Sequence, residues 1–393
     1  MSIDPDRISR NKNALRENSL DAFICRLPEN VVFLSGWWPL TGTSWIIFTA
    51  DGYSHLIVPA CEAQEATAEG ITELTTYEWA HLAAKDPVGE TKIALKVAAE
   101  KFGIEKGQIG IEEIFEGVAP PLNIGEPSIP GKWSKQLIQQ ILPQAKISDA
   151  TEVINGLRVL KTPTEIEKLR IANEIASVGL DTFKKNAMQG ISEIELLALI
   201  NSAIAVKGSG YKGIKSARGF AQISSGKGTA MAWRPCVITT NRKLQNGDIT
   251  ILELAVVADG FWADNTRSVV VGGPDKWQKK IYEVILKAQS AAKDAIKPGV
   301  KMSIVDKAAR DIINKNGYGK YFIHITGHGV GWRYHEFPPL LNPGNVTPMQ
   351  EGMVTSVEPG IYIPDFGGFR VEDNVAVSKS GFDELSTFNR DLA

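Results

Sequence analysis

The hydrophobic pattern of Gly247–Gly272 predicts a β-hairpin. Ile249–Val257 and Trp262–Val271 are rich in Ile, Leu, Val and Trp, as strands usually are, and Asp259-Gly260 between them is a typical turn pair. One acid lies on each side of this turn, and the midpoint of the two falls within about one residue of it. We therefore expect the acids to stand roughly opposite each other on neighbouring strands. They are Glu253 and Asp264.

A second hairpin with the same arrangement is predicted near the C-terminus. Glu358 and Glu372 flank the loop Pro364–Gly368, and their midpoint is Asp365. Like charges that face each other across two strands repel. Such a pair either has a raised pKa or holds a cation between its carboxylates.

The first 150 residues alternate helix and strand patterns, which predicts an α/β domain over residues 1–150. A helix is expected over Pro5–Glu17, because Asp4 can serve as its N-cap and Pro5 suits the first helical position. The strands are predicted at Ala22–Cys25, Val31–Leu34, Ser44–Phe48 and His55–Val58.

A second domain is predicted over residues 151–393, where two helices are followed by strands and this order then recurs. Two capping boxes mark the first two helices, one from Thr162 to Glu165 and one from Ser192 to Glu195. Residues 276–296 and Ser303–Lys315 predict the second pair of helices. The whole chain is therefore expected to be an α/β (α+β) protein.

A histidine cluster lies between the two acid hairpins. Of the five histidines in the chain, three fall within twelve residues, at His324, His328 and His335. Four acids and a histidine make a set of hard oxygen ligands with one nitrogen, which suits Mn, Fe, Co or Zn better than a thiolate site would. Four acids exceed what one catalytic ion normally takes, so the pattern favours a centre with two metals.

Composition excludes several other classes of protein. The chain has 393 residues, 43% of them hydrophobic, and a net charge of -2, which describes a soluble globular protein of two domains. No basic block indicates nucleic acid, and no apolar run predicts a membrane span. The polar N-terminus predicts no signal peptide, and the scattered cysteines favour a reducing cytoplasm. Those cysteines are Cys25, Cys61 and Cys236.

The spaced motifs together resemble peptidase family M24, the "pita-bread" metallohydrolases that include methionine aminopeptidase, aminopeptidase P, prolidase and creatinase. GD-x4-E-x10-DxTR, GHGVG…HExP, GMVxSxEPGIY and RxEDNVxV follow one another in family order from about Leu157 to the end. The N-terminal third resembles a creatinase-type domain. The resemblance implies five metal ligands, at Glu253, Asp264, His328, Glu358 and Glu372.

Two positions depart from the family pattern. The first metal position is normally Asp and is Glu253 here, which lengthens the ligand arm by one CH2. The substrate-side loop usually ends in a His, and this chain has Trp233 there, which can donate one N–H but cannot carry a proton. The loss of that His puts ordinary peptidase efficiency in doubt.

The resemblance also implies a mechanism and partners. Two divalent ions, with manganese expected first and cobalt, zinc or iron after it, would activate water for hydrolysis of an amide bond at the N-terminus of a short peptide. Glu358 would move the proton and His335 would help hold the oxyanion, while His324, Trp233 and Arg370 would contact substrate. A preference for Xaa-Pro substrates and a cytoplasmic homodimer are implied in the same way.

Two alternatives remain open at this point. Creatinase and ectoine hydrolase share the fold but lack metal and cleave small C–N substrates, in which case Glu253 could act as acid, base or nucleophile and His328 as proton carrier. The second alternative is a catalytically inactive binding module. The ligand-capable side chains at all the family's metal positions favour a metalloenzyme over either one.

Overall fold

The residues that the computed structural model describes are 4–40, 43–66, 71–78, 87–113, 131–234 and 237–392. Among them, a first compact unit ends at Arg158 and a second begins at Val159. No helix in these ranges combines the length and apolar character needed to cross a membrane. Cys25 and Cys61 are free thiols, and Cys236 lies outside the described residues.

The first unit is a mixed sheet with helices. Its described helices are α1 Pro5–Glu17, α2 Pro28–Ser35, α3 Pro87–Lys101, α4 Gly131–Ile141 and α5 Thr151–Val159. Its strands are β1 Ala22–Cys25, β2 Trp45–Thr49, β3 Ser54–Pro59, β4 Glu73–Tyr77, β5 Gln108–Ile111 and β6 Lys146–Asp149, in the sheet order β4-β3-β2-β1-β5-β6. Helix α1 begins as predicted, because the Asp4 side chain accepts a hydrogen bond from the backbone N–H of Asp6.

The predicted strand Val31–Leu34 is wrong, because these residues lie in helix α2. Pro28 occupies its first turn, and Gly36, with φ of 75°, ends it in the left-handed conformation. The buried carboxylate of Glu112 accepts the backbone N–H groups of Arg26 and Leu27 at 2.7 and 3.1 Å, which serves the helix start in place of a local cap. A partner more than 80 residues away therefore overrides the strand preference of Val-Val-Phe-Leu.

The second unit repeats the order of two helices followed by strands. The helices are α6 Pro163–Asn186, α7 Glu193–Gly208, α8 Lys276–Ala295 and α9 Met302–Lys315. Strands β7 Ala217–Ser225, β8 Ile249–Ala258 and β9 Phe261–Val270 form one sheet in that order. The strands after α9 are β10 Gly327–Gly329, β11 Glu336–Leu341, β12 Val354–Val357, β13 Gly360–Ile363, β14 Gly367–Arg370, β15 Asp373–Val377 and β16 Phe382–Glu384.

Helix caps and apolar faces fix these elements. Both predicted capping boxes form, with Thr162 starting α6 and Ser192 starting α7. Helices α6 and α7 bury their apolar residues against β7–β9, whereas α8 and α9 cover the later strands, β13 to β15 among them. Each half of the second unit thus places one acid hairpin against its own helix pair.

Candidate metal centre

The first hairpin turns at Asp259-Gly260, as predicted. These residues have φ of 45° and 89°, the two left-handed positions of a type I′ turn. The turn is centred one residue later than the midpoint of the acids. Glu253 therefore pairs with Thr266, and Asp264 pairs with Ala255. The prediction that the acids stand opposite is corrected to a diagonal pair two residues apart, which still lies on one face of the sheet.

The second hairpin places its acids directly opposite each other. Val357 pairs with Asp373 in one ladder and Gly360 pairs with Arg370 in the next, so the same register carries Glu358 to the position facing Glu372. Both acids are buried, at 8% and 0% exposure. Their burial removes the solvent that would otherwise screen the repulsion between them.

His328 lies between the two hairpins on β10. Its Nε2 is 3.3 Å from Asp264 Oδ2 and 3.4 Å from Glu358 Oε1, whereas its Nδ1 is 2.9 Å from the carbonyl oxygen of Gly329. Because a carbonyl only accepts, Nδ1 carries the hydrogen. Burial lowers the pKa of His328 although Glu372 opposes this, so the Nε2 lone pair faces carboxylate oxygens. A cation would turn this repulsion into coordination.

The ligand atoms form overlapping sets. Each set has its atoms within 4.8 Å of one another. The His328 subsite consists of His328, Glu358 and Glu372, and the Glu253 subsite consists of Glu253, Asp264 and Glu372. A third set, Asp264, His328 and His335, places His335 beside the same ligands.

The donor set fits divalent cations. Glu372 Oε1 is buried and has no hydrogen-bond partner among the described residues, which a carboxylate oxygen in this environment tolerates only beside a cation or a proton. Burial and then the charge of Glu372 raise the pKa of Glu358 well above its ordinary value. Oxygen-rich ligands with one imidazole suit Mn, Fe, Co or Zn. These residues could therefore hold metal.

Thr266 joins the two hairpins at the site. Its Oγ1 is 2.7 Å from both Glu253 Oε2 and Glu372 Oε2, and one hydroxyl hydrogen can serve only one of them. The carboxylate oxygen that receives no hydrogen from Thr266 must carry a proton or lie beside a cation. Sequence reasoning missed Thr266, although its position two residues after Asp264 places it on the same strand face.

Comparison with known proteins agrees with this geometry. The model of metallopeptidase family M24 matches residues 167–379, and the creatinase/prolidase N-terminal domain matches residues 7–160. The chain belongs to metallopeptidase family M24. It is accordingly a hydrolase with a creatinase-like N-terminal domain and an M24 C-terminal domain.

Relatives resemble the M24 chain over nearly their whole length. The Xaa-Pro dipeptidase of Pyrococcus furiosus is 32% identical over 98% of this chain and 99% of its own. That of Pyrococcus horikoshii is 30% identical over all of both chains. The crystal structure of the prolidase from Pyrococcus horikoshii covers 99% of this chain and 100% of its own, with 28% identity and a TM-score of 0.78.

Arg370 binds the M24 acid cluster itself. Its guanidinium forms an ion pair with Glu253 through Nη2, while Nε donates to Thr266 Oγ1 at 3.0 Å. Nη1 donates to the carbonyl oxygen of Ala232 at 2.7 Å, and it also lies 3.2 Å from the hydroxyl of Tyr362. The substrate contact predicted for Arg370 stays a prediction, and each of its three guanidinium nitrogens has a protein partner.

The other predicted residues lie at different depths. His335 is buried, and its ring centre is 4.3 Å from that of His328. His324 Nε2 lies 3.0 Å from the Tyr362 hydroxyl, which also contacts Arg370. Burial lowers the pKa of His324 to about 4, so this imidazole is neutral. Trp233 is half-buried and packs with Ala232 and Tyr362, both of which contact Arg370.

Glu336 is a structural residue in this M24 chain. Its carboxylate forms a buried ion pair with Lys161, whose side chain is 0% exposed, and accepts the backbone N–H of Trp332 at 3.0 Å. These contacts close the loop Gly331–Glu336, which carries Tyr334 and His335. We name this ion pair the Lys161–Glu336 latch.

We expect Lys161→Met to lower the free energy of unfolding by about 3–5 kcal/mol, because it leaves the Glu336 carboxylate buried without its cation. Urea denaturation of the metal-free protein measures this. Lys307→Met is the matched control, since Lys307 and Asp311 form an exposed pair, 64% and 58% accessible. A Lys161→Met protein as stable as that control would show that the latch contributes nothing.

Proposed function

We propose that this M24 hydrolase is a metal-dependent Xaa-Pro peptidase, which cleaves the amide bond before proline at the N-terminus of short peptides. Relatives named Xaa-Pro dipeptidase match nearly the full length of the chain, which supports a dipeptidase over an aminopeptidase P-like enzyme. The observation that carries the proposal is His328 Nε2, whose lone pair faces carboxylate oxygens of both acid hairpins.

The proposed cofactors are two divalent ions, manganese first and cobalt, zinc or iron as the alternatives. Asp264 would be shared between the two subsites, since it lies within reach of both Glu253 and His328. Glu372 would be shared likewise, because it belongs to both named sets. When bound, such ions supply Lewis-acid polarisation of the scissile carbonyl and activation of water near neutral pH.

Glu358 and His335 are the proposed proton-handling and oxyanion-binding residues. Burial beside Glu372 raises the pKa of Glu358, which suits a carboxyl group that takes a proton and passes it to the leaving nitrogen. Burial lowers the pKa of His335 well below its ordinary value, so a neutral imidazole is available to donate to a developing oxyanion.

The substrate side of the site is proposed to lie toward Trp233. Arg370 contacts the carbonyl oxygen of Ala232 and the carboxylate of Glu253 at once, so the residue before Trp233 is tied to the acid cluster. An indole in this place supplies an apolar wall and one N–H donor. His324 supports the same region through Tyr362.

A cytoplasmic homodimer is proposed as the form of the enzyme. The support for the dimer is the resemblance of the N-terminal unit to creatinase-type domains, which the match over residues 7–160 strengthens. Free Cys25 and Cys61 are consistent with a reducing compartment.

A substrate panel tests the proposal. Protein stripped with a chelator is assayed with Ala-Pro, Ala-Pro-Ala and the matched dipeptide Ala-Ala, before and after manganese is restored. We expect Ala-Pro hydrolysis to rise at least about a hundredfold with manganese, since the ions contribute several kcal/mol to the barrier. Release of the N-terminal alanine, measured by chromatography, is the readout, because cleavage of the first bond frees it from all three substrates.

Two results would contradict the proposal. Absence of Ala-Pro and Ala-Pro-Ala cleavage at any manganese concentration would remove the peptidase assignment. Protein that binds no divalent ion by elemental analysis, yet hydrolyses the C–N bond of a small guanidine such as creatine, would belong with the metal-free relatives instead.

A further inference from the structure

Glu253 is surrounded by donors from the protein. Tyr334 donates its phenol hydrogen to Oε1 at 2.6 Å, while Oε2 contacts the Thr266 hydroxyl at 2.7 Å and the Arg370 guanidinium. Among the described residues Oε2 has two polar neighbours and Oε1 has one, so Oε1 is the atom with more room for a cation. That atom already accepts one hydrogen bond, from Tyr334.

The phenol is held firmly in this position. Tyr334 is 0% exposed and packs with Ala255, Val257 and Trp262. Its ring centre is 4.1 Å from that of His335, the next residue in the chain. The Lys161–Glu336 latch closes the loop that carries both residues, so the phenol cannot swing away without unpacking.

The two subsites differ in how strongly protein donors compete with a cation. In the His328 subsite, Nε2 carries a lone pair, and Glu372 Oε1 accepts no hydrogen bond within the described chain. From the residues that the structure describes, Glu358 Oε1 accepts one long hydrogen bond, 3.1 Å from Ser356 Oγ. In the Glu253 subsite the acid is shared with Tyr334 and is partly neutralised by Arg370.

We propose that Tyr334 sets the affinity of the Glu253 subsite for its cation by occupying Oε1 of Glu253. The inference rests on the proposed function, because it requires that the acid cluster binds divalent ions. A donated hydrogen bond lowers the electron density that a carboxylate oxygen offers to a metal. Tyr334 therefore weakens the second cation and leaves the first, at the His328 subsite, unchanged.

The test is calorimetric titration of manganese into chelator-stripped protein, which needs no substrate. In Tyr334→Phe we expect the Kd of the weaker-bound ion to fall about tenfold, the size of one charge-assisted hydrogen bond at its lower limit. The tighter ion should change less than about twofold. Tyr282→Phe is the matched control, because this buried hydroxyl donates to the carbonyl of Arg390 at 2.8 Å, away from the acids.

Glu253→Asp gives a second, independent variant. The shorter arm withdraws the carboxylate from the phenol while the tyrosine ring stays packed, so the weaker ion should again bind more tightly. Tyr334→Phe added to Glu253→Asp should then change its Kd less than about twofold, because no hydrogen bond remains to be removed.

The outcomes separate this inference from the proposed function. Wild-type protein that binds no manganese would remove the proposed function, and the inference with it. Wild-type protein that binds manganese, with Tyr334→Phe and Glu253→Asp unchanged or weaker at the second ion, would overturn the role of Tyr334 alone. A wild type that binds a single ion and a Tyr334→Phe variant that gains a second would support it.

Discussion

His328→Ala is expected to lower kcat/KM for Ala-Pro by at least about a thousandfold, because removal of the imidazole takes away several kcal/mol of stabilisation by the metal. The variant should also bind less manganese, since His328 Nε2 is the candidate nitrogen ligand beside the carboxylate oxygens of Asp264 and Glu358. Initial rates with manganese in excess and elemental analysis of the same samples measure both effects.

A second buried histidine provides the control. His55 is 3% exposed and contacts Thr75 Oγ1 at 2.6 Å in the first unit. His55→Ala also removes a buried imidazole, but one that is not among the candidate metal ligands, so the manganese content of this variant should match the wild type. A His328→Ala enzyme that keeps wild-type activity and metal content would show that the centre has been assigned to the wrong residues.

The acid hairpins could be predicted because their signals are local. Asp259-Gly260 supplies the turn, and the apolar residues on either side supply the strands, so the chain itself brings Glu253 near Asp264. The second pair follows in the same way from the midpoint at Asp365. A shift of the first turn by one residue was enough to change an opposed pair into a diagonal one.

The partners of those acids could not be predicted, because they come from distant parts of the chain. Tyr334 reaches Glu253 across 81 residues, and Lys161 reaches Glu336 across 175. Neither residue belongs to a periodic pattern that would mark it as buried and paired. The error at Val31–Leu34 has the same origin, since Glu112, which follows strand β5, binds the start of that helix.

Family resemblance gives the position of a residue along the chain but not its contacts. It implies a substrate contact for Arg370, which stays a prediction, but not that the guanidinium binds Glu253, Thr266 and the Ala232 carbonyl. The resemblance did identify the acids and His328 as one set. It did not predict that the carboxylate of Glu253, whose side chain is one CH2 longer than the usual Asp, accepts a hydrogen bond from the Tyr334 phenol.

Asp373→Asn is expected to lower the free energy of unfolding by about 3–5 kcal/mol, because it leaves the buried Arg267 without its anion and leaves Lys293 and Arg390 to share Glu384. Asp373 is 0% exposed and pairs with Arg267 at 2.7 Å, Lys293 at 2.6 Å and Arg390 at 2.5 Å. Arg267 also donates to the carbonyl oxygens of Thr266 and Glu372, so it joins the two acid hairpins. Metal binding should therefore weaken together with stability.

The pH dependence of this loss identifies its cause. Burial alone would raise the pKa of Asp373, but Arg267, Lys293 and Arg390 outweigh it and hold the pKa below the ordinary range. The contribution of the Asp373 carboxylate to the free energy of unfolding is complete above its pKa in the unfolded chain, about 4, and is lost as the pH falls toward its pKa in the folded protein. Urea denaturation should thus show a constant gap between wild type and variant from about pH 8 to 5, which narrows below about pH 4.

An exposed acid separates burial from charge in this experiment. Asp311→Asn removes the same charge from the surface pair with Lys307 and should cost less than about 0.5 kcal/mol at any of these pH values. If Asp373→Asn were no more costly than Asp311→Asn, the buried ion cluster would not be what holds the hairpins together. The acids of the metal centre would then depend on strand pairing alone, and the weaker metal binding expected of Asp373→Asn would be absent as well.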